Sequence, residues 1–331
     1  MGFGGGFTFD WIGFALDYSK FTIGLSEGRA QWLCKWCSDR EKQGIVDARQ
    51  FVEVLGRMGF SFQMLSNLRP FLAPIHAWLA AIPMSSCVQM PLMIRLVIRW
   101  IRSSLEKSRT RTFRGPITDL GQRFRADAKA EGQVVGIGGW ETITQDTPTS
   151  KARWFALELD KTNASWAISK GEPFKTIAAL ELFASLLCVR HFVDDLPPRS
   201  HSTMQLSGLT DNKGNSCIVT KLMSTKFPLF IILVELAHEL DQKGITMGLS
   251  WIPRDQNCEA DDLSNLKTDA FDPALRITPL LGAAHFPVMH EMLSAAEALQ
   301  SEVQELRALN KASPRQPLSK KRKKLRETHP W

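Results

Sequence analysis

The sequence of 331 residues lacks a hydrophobic run of membrane-spanning length. The longest run, PLFIILVELA at 228–237, has ten residues and carries Glu235, whereas a spanning helix needs about 20 apolar residues. The first residues, MGFGGGFTFD, lack the basic segment of a secretory signal. The sixth residue is Gly rather than the Ser or Thr of a myristoylation pattern. We therefore expect an intracellular protein with no membrane partner.

Cysteine is scarce and scattered. Only Cys34 and Cys37, of six cysteines, form a C-x-x-C pair, and neither a second pair nor His-x-x-x-His follows. A structural zinc site needs four such ligands, so the pattern gives little support to zinc or redox chemistry. We expect reduced thiols in an intracellular protein.

Acidic residues are too few to balance the basic ones, at 34 against 41, which leaves a formal net charge of +7. Much of the excess lies in 95–125, where nine basic residues meet only Glu106 and Asp119. A solvated basic helix is the ordinary explanation of such a run, and a surface that follows a nucleic-acid backbone is the functional one. The candidates for nucleic-acid binding share one helical face: Arg95, Arg99 and Arg102.

Glycine next to proline at 115–116 is typical of a domain boundary. A hydrophobic content of 44% excludes disorder of the whole chain, and the length allows about two units. We predict a mainly helical region over 1–115, an α/β domain over 116–272, and a tail over 273–331.

The first region begins with alternating residues over 9–25, which predict a β-hairpin with a polar turn. Helical spacing of apolar residues then predicts one helix after Ser26 and another after Asp47, a plausible N-cap. A third helix is expected over 66–82, bent or divided by its two prolines, and a basic helix over 91–105.

The second region changes to a mixture of strands and helices. Its patterns predict three strands, then helix, strand, helices, strand and helix, which is the order of a mixed α/β sheet flanked by helices. The strands are expected from 122, in the glycine-rich VVGIGGW, and near 153–159, 203–210 and 246–252. The helices are expected near 175–193, up to 241, and at 259–266.

The tail carries an apolar seam with heptad spacing from Met292 to Leu306. Two to three repeats fit either self-association through 288–310 or a lone amphipathic helix. The basic cluster Lys320–Arg326 predicts a disordered arm that serves as a nuclear localisation signal or contacts nucleic acid, and an arm without function is the alternative.

Four acidic residues stand at unusual places in the α/β region. Asp127 lies in mid-strand, and Glu181 falls on an otherwise apolar helical stripe, where an unpaired carboxylate is costly. Asp211 follows a strand, and Asp261 opens the last helix. Each has a structural explanation, such as an arginine partner, solvent exposure, a helix cap or dipole complementation. Together they form a plausible oxygen cage for divalent cations.

Four motifs in this region resemble a known family. FRADA, the Glu in ALELFASL, TDNKGN and WIPRDQNCEADDLSN are similar to the ribonuclease H domain of retroelement reverse transcriptases. The last two motifs are the most specific, and the resemblance covers about 120–270. The segment 9–25 and the helices to Ile82 resemble the primer grip, thumb and connection of the same enzymes. Among retroelements, the sequence pattern is most similar to that of the DIRS-like elements.

The resemblance implies hydrolysis of the RNA strand of RNA–DNA hybrids with two Mg²⁺ ions, for which Mn²⁺ is an alternative. The implied metal ligands and catalytic residues are Asp127, Glu181, Asp211 and Asp261, with Asp262 as a neighbour. Nucleic-acid contacts or ligand orientation are implied for Arg125, Asn212 and Asn257, beside the basic segment from Arg95.

The sequence also departs from the family. No His lies between Trp251 and Asp261, where many members have one, and no Tyr-x-Asp-Asp polymerase motif occurs; Tyr18 is the only tyrosine. We therefore expect no polymerisation, and a partner in the remainder of a longer polyprotein. Two other hypotheses stay open: an inactive nucleic-acid-binding remnant of a transposable element, and a recombinase-like integrase.

Overall fold

The computed structural model describes residues 7–112, 118–132, 134–144, 147–168, 171–193 and 204–312. They form two compact units, the first from 1–113 and 294–331 and the second from 114–293. The predicted basic cluster Lys320–Arg326 lies outside the described residues. Within the described ranges, no helix has the length and apolar character that crossing a membrane requires.

The first unit combines a four-stranded antiparallel sheet and a two-stranded sheet with helices. The predicted hairpin is present, with an added strand before it, and the sheet order is β1-β2-β3-β6. The elements are β1 (Thr8–Trp11), β2 (Phe14–Asp17), β3 (Thr22–Leu25), α1 (Glu27–Gln43), β4 (Ile45–Asp47), α2 (Ala48–Ser61), α3 (Leu72–Leu79), β5 (Cys87–Gln89), α4 (Leu92–Lys107) and β6 (Thr110–Thr112).

Local sequence signals explain where these elements begin and end. The side chain of Asp47 accepts a hydrogen bond of 2.8 Å from the backbone of Gln50, which caps α2 as predicted. The expected helix over 66–82 is divided into a 3-10 segment, Ser66–Phe71, and α3, because Pro70 cannot supply a backbone donor.

The second unit contains a five-stranded mixed sheet in the order β9-β8-β7-β10-β11. Strands β7, β8 and β9 pair antiparallel, whereas β10 and β11 run parallel to β7. The predicted α/β class and element order are confirmed. The elements are β7 (Thr118–Glu131), β8 (Val134–Glu141), β9 (Trp154–Leu159), α5 (Ile177–Phe192), β10 (Met204–Thr210), α6 (Lys213–Lys221), α7 (Leu229–Lys243), β11 (Ile245–Trp251) and α8 (Cys258–Ser264).

Glycines in β8 let the backbone of α8 lie directly on the sheet. A Cβ atom at Gly136 would come within 1.9 Å of the Ser264 carbonyl oxygen, and one at Gly138 within 2.6 Å of the Ser264 nitrogen. Gly138 pairs with Asp127 on the neighbouring strand. The glycine-rich strand therefore brings α8 against the part of the sheet that carries Asp127.

Helix α9 (Pro287–Ala312) contains the predicted heptad seam. Its side chains Met292, Ala296, Leu299 and Val303 are buried, at 0–7% exposure, and Glu302 accepts a hydrogen bond of 3.2 Å from the indole of Trp78. The single chain therefore covers these residues, as the lone amphipathic helix predicts. Self-association through 288–310 stays a prediction.

We predict that Gly138→Ala destabilises the second unit by about 1–3 kcal/mol, because the methyl group would overlap Leu263 and the backbone of Ser264. The matched control is Gly248→Ala in β11, where the nearest atom to an added Cβ lies 4.0 Å away. Urea unfolding followed by circular dichroism measures both variants. Equal stability of the two would contradict direct packing of α8 on β8.

Candidate active site

Strand register places two of the four acidic residues side by side. Leu209 in β10 is opposite Arg125 in β7, and the strands run parallel. Asp211 follows Leu209 by two residues and Asp127 follows Arg125 by two. The two aspartates therefore come level on neighbouring strands, at the carboxyl end of β10, where sites gather in α/β sheets.

Glu181 reaches this place from α5, which packs across β7. The helix is apolar on nearly all sides, and Glu181 is buried at 8% exposure, as its position on an apolar stripe predicts. Its Oε2 atom is buried and has no hydrogen-bond partner among the described residues. A buried carboxylate oxygen without a partner is costly unless a cation binds it.

Asp261 is supplied by α8, which is tied to β7 at two points. Ser264 donates a hydrogen bond of 2.5 Å to Oδ2 of Asp127, and the side-chain amide of Asn257 donates one of 3.2 Å to the Ala126 carbonyl. These bonds fix α8 beside the middle of β7. Helix α8 therefore brings the carboxylate of Asp261 near Asp127.

Electrostatic interactions link Asp211 to both Asp127 and Glu181, and Asp261 to Asp127. Burial raises the pKa of Asp127 to about 7, helped by Asp211 and Asp261 and opposed by the Ser264 hydrogen bond. Burial likewise raises the pKa of Glu181 to about 8, helped by Asp211 and Asp127. Like charges shift a pKa in this way only at short range. Asp127, Glu181 and Asp211 line a common open cavity of about 350 Å³.

Arg254 also lines this cavity and was not singled out from the sequence. Its Nε donates to Oδ1 of Asp261 at 3.0 Å, and a second guanidinium N–H contacts the same oxygen. Asn265 donates to Oδ2 of Asp261 at 3.2 Å. The signal available in the sequence was an arginine seven residues before Asp261.

The donor set suits hard divalent cations, since it offers carboxylate oxygens and one of them, on Glu181, has no other partner. In the described ranges, however, no three His, Cys, Asp or Glu side chains stand close enough to hold a metal ion together. Asp261 is turned to Arg254 instead. The residues therefore fit divalent metal by chemistry, with Asp261 held by another cation.

Several predicted neighbours have structural partners. Asp262 lies 3.5 Å from Lys267. Asn212 is the N-cap of α6, where its side chain accepts from Asn215, so Asp211 is not the helix cap. Asn257 is fully buried, and its role in ligand orientation or strand contact stays a prediction.

Some of the arginines predicted to bind nucleic acid already have partners within the protein. Arg125 donates to the Gln256 carbonyl at 2.8 Å and lies over the ring of Trp140. In the first unit, Arg95, Arg99 and Arg102 are half-buried on α4, and Arg102 lies 3.2 Å from Glu41. Nucleic-acid binding by these arginines stays a prediction.

The strand order of the second unit defines its class as a ribonuclease H-like α/β fold. No protein-family model and no curated protein matches the sequence significantly. The solved RNase H1 of Halobacterium salinarum NRC-1 is 18% identical, over 46% of this chain and 98% of that chain, with a TM-score of 0.29. The N-terminal RNase H domain of a Mycobacterium tuberculosis protein is also 18% identical, over 46% and 95%, with a TM-score of 0.30.

A third solved structure, a foamy viral protease–reverse transcriptase in complex with double-stranded DNA, is 12% identical. The match covers 73% of this chain and 38% of the viral chain, with a TM-score of 0.27. At such identities and scores these likenesses carry no weight for function. The fold assignment depends on the strand order and on the placement of the helices.

We predict that the metal-free protein loses stability as the pH rises from about 4 to about 8. The folded pKa values of Asp127 and Glu181, about 7 and about 8, lie above the unfolded values of 3.8 and 4.5. The stabilisation is therefore complete below the unfolded values and is lost as the pH rises through the folded ones. Asp127→Asn and Glu181→Gln should each reduce the loss, measured by urea unfolding with a chelator at pH 5 and pH 8.

The opposite sign, or an equal pH dependence in wild type and both variants, would contradict a shared buried acidic site. Asp262→Asn is the control, because its carboxylate pairs with Lys267 and is half exposed. This variant should follow the wild-type pH dependence.

Proposed function

We propose that the second unit is a ribonuclease H-type endonuclease that hydrolyses the RNA strand of RNA–DNA hybrids. The observation that supports the proposal is that Asp127, Glu181 and Asp211 line one cavity beside a five-stranded mixed sheet, with Asp261 near Asp127. The motif resemblance in the sequence supports the substrate class, because the same four positions are the acidic positions of the matching motifs.

The four carboxylates are the groups that would hold two Mg²⁺ ions. Bound there, the ions supply an activated water and stabilise charge on the scissile phosphate. The protein's own contribution is positioning. Ser264 engages only one oxygen of Asp127 and so fixes its side chain, while Asn257 holds α8 against β7. Burial of Asp127 and Glu181 lowers the local dielectric, which strengthens their attraction for a cation.

We also propose that the chain derives from a retroelement reverse transcriptase, with the first unit as its thumb and connection part. The support is the resemblance of residues 9–25 and the following helices to that region. Because the sequence contains no Tyr-x-Asp-Asp motif, the proposed activity is confined to hydrolysis, and the rest of the polyprotein is the proposed partner.

One observation favours a second candidate, an inactive nucleic-acid-binding remnant. Asp261 is paired with Arg254 rather than grouped with the other acids, and the family's histidine is absent before it. This candidate predicts salt-sensitive binding of hybrids without cleavage. Cleavage of plain duplex DNA would instead indicate the recombinase-like integrase.

The proposal predicts cleavage of the RNA in a labelled hybrid with Mg²⁺, measured as product formation on denaturing gels. Asp127→Asn should lower the rate by more than the ~10–100-fold that follows loss of an outer-shell partner of a metal ligand, because a central ligand is lost.

The control for this experiment is Asp262→Asn, next to Asp261 in the chain but paired with Lys267. It should keep most of the activity. Hybrid binding without any cleavage by the wild-type chain would overturn the nuclease proposal in favour of the remnant, and full activity of Asp127→Asn would overturn the assignment of the metal site.

A further inference from the structure

Arg254 lies where a cation has three carboxylates within electrostatic reach. It opens a short 3-10 turn, Arg254–Gln256, directly after Pro253. Its side chain is 72% exposed, yet the guanidinium donates twice to Oδ1 of Asp261. An arginine so exposed has many orientations open to it, so the side chain can leave this contact without disturbing the core.

The surroundings show what holds Arg254 in place. The pKa of Arg254 is raised by Asp261 first, and also by Asp127 and Asp211. The other basic residue lining the cavity, Lys129, lies 2.8 Å from Glu131. Among the described lining residues, Arg254 is therefore the cation that faces the acidic group.

We infer that Arg254 controls metal loading: it neutralises Asp261 in the metal-free protein and must leave that carboxylate before a divalent cation can bind there. The inference rests on the proposed function, because it assigns Asp261 to a metal position. The guanidinium and a metal ion compete for the same oxygen, Oδ1, since a carboxylate oxygen that already accepts two N–H donors offers little to a metal ion.

The competition predicts a modest change in affinity. Ion pairs of exposed side chains are weak, so removing Arg254 should tighten metal binding by roughly five-fold rather than by orders of magnitude. A general loss of positive charge near the cavity would also attract cations. Lys129→Gln, which removes a cavity charge that does not contact Asp261, separates this effect from the specific one.

The test is calorimetric titration of Mn²⁺ into the full chain without nucleic acid. Arg254→Gln should bind Mn²⁺ about five-fold more tightly than wild type, whereas Lys129→Gln should stay closer to wild type. In an Asp261→Asn background, Arg254→Gln should change the affinity no more than Lys129→Gln does. Arg254→Lys, which keeps the charge and loses the planar fork, should fall between wild type and Arg254→Gln.

The outcomes distinguish the inference from the function on which it rests. Equal or weaker Mn²⁺ binding by Arg254→Gln, with clear binding by wild type, overturns the control by Arg254 and leaves the metal site standing. An equal gain in Lys129→Gln also overturns it. Absence of Mn²⁺ binding in both wild type and Arg254→Gln overturns the two-metal proposal itself and the inference with it.

Discussion

Burial of carboxylates next to other carboxylates is the constraint around which the second unit is built. Burial disfavours the anionic forms of Asp127 and Glu181, and Asp211 adds to this effect at both, as Asp261 does at Asp127 and Asp127 does at Glu181. A fold gains nothing in stability from collecting such groups without a counter-cation. The arrangement therefore makes sense as a site that binds positive charge, and in the metal-free protein part of that charge is Arg254.

The rest of the domain acts to hold this group together. Parallel pairing of β10 with β7 sets Asp211 level with Asp127. Gly136 and Gly138 remove the side chains that would keep α8 off the sheet, and Ser264 and Asn257 then fasten α8 to β7. Packing thus supplies the free energy that offsets the electrostatic cost, a common relation between scaffold and functional site.

Much of the local structure could be predicted from the sequence, because the spacing of apolar residues and the residues at helix ends determine it. The strand and helix order, the cap at Asp47 and the buried position of Glu181 all follow from alternation, helical spacing and N-cap chemistry. What could not be predicted depends on long-range contacts. The pairing of Arg254 with Asp261, the fastening role of Asn257 and the covering of the α9 seam each involve partners that the chain order does not reveal.

The most direct measurement is the pKa of Glu181 by carboxyl NMR in the metal-free protein, compared with the Asp211→Asn variant. If the acidic residues form one electrostatically coupled site, the wild-type value lies near 8 and falls when the charge of Asp211 is removed, since Asp211 is the charge that raises it most. A wild-type value near the ordinary 4.5, or a raised value that Asp211→Asn leaves unchanged, would contradict the account.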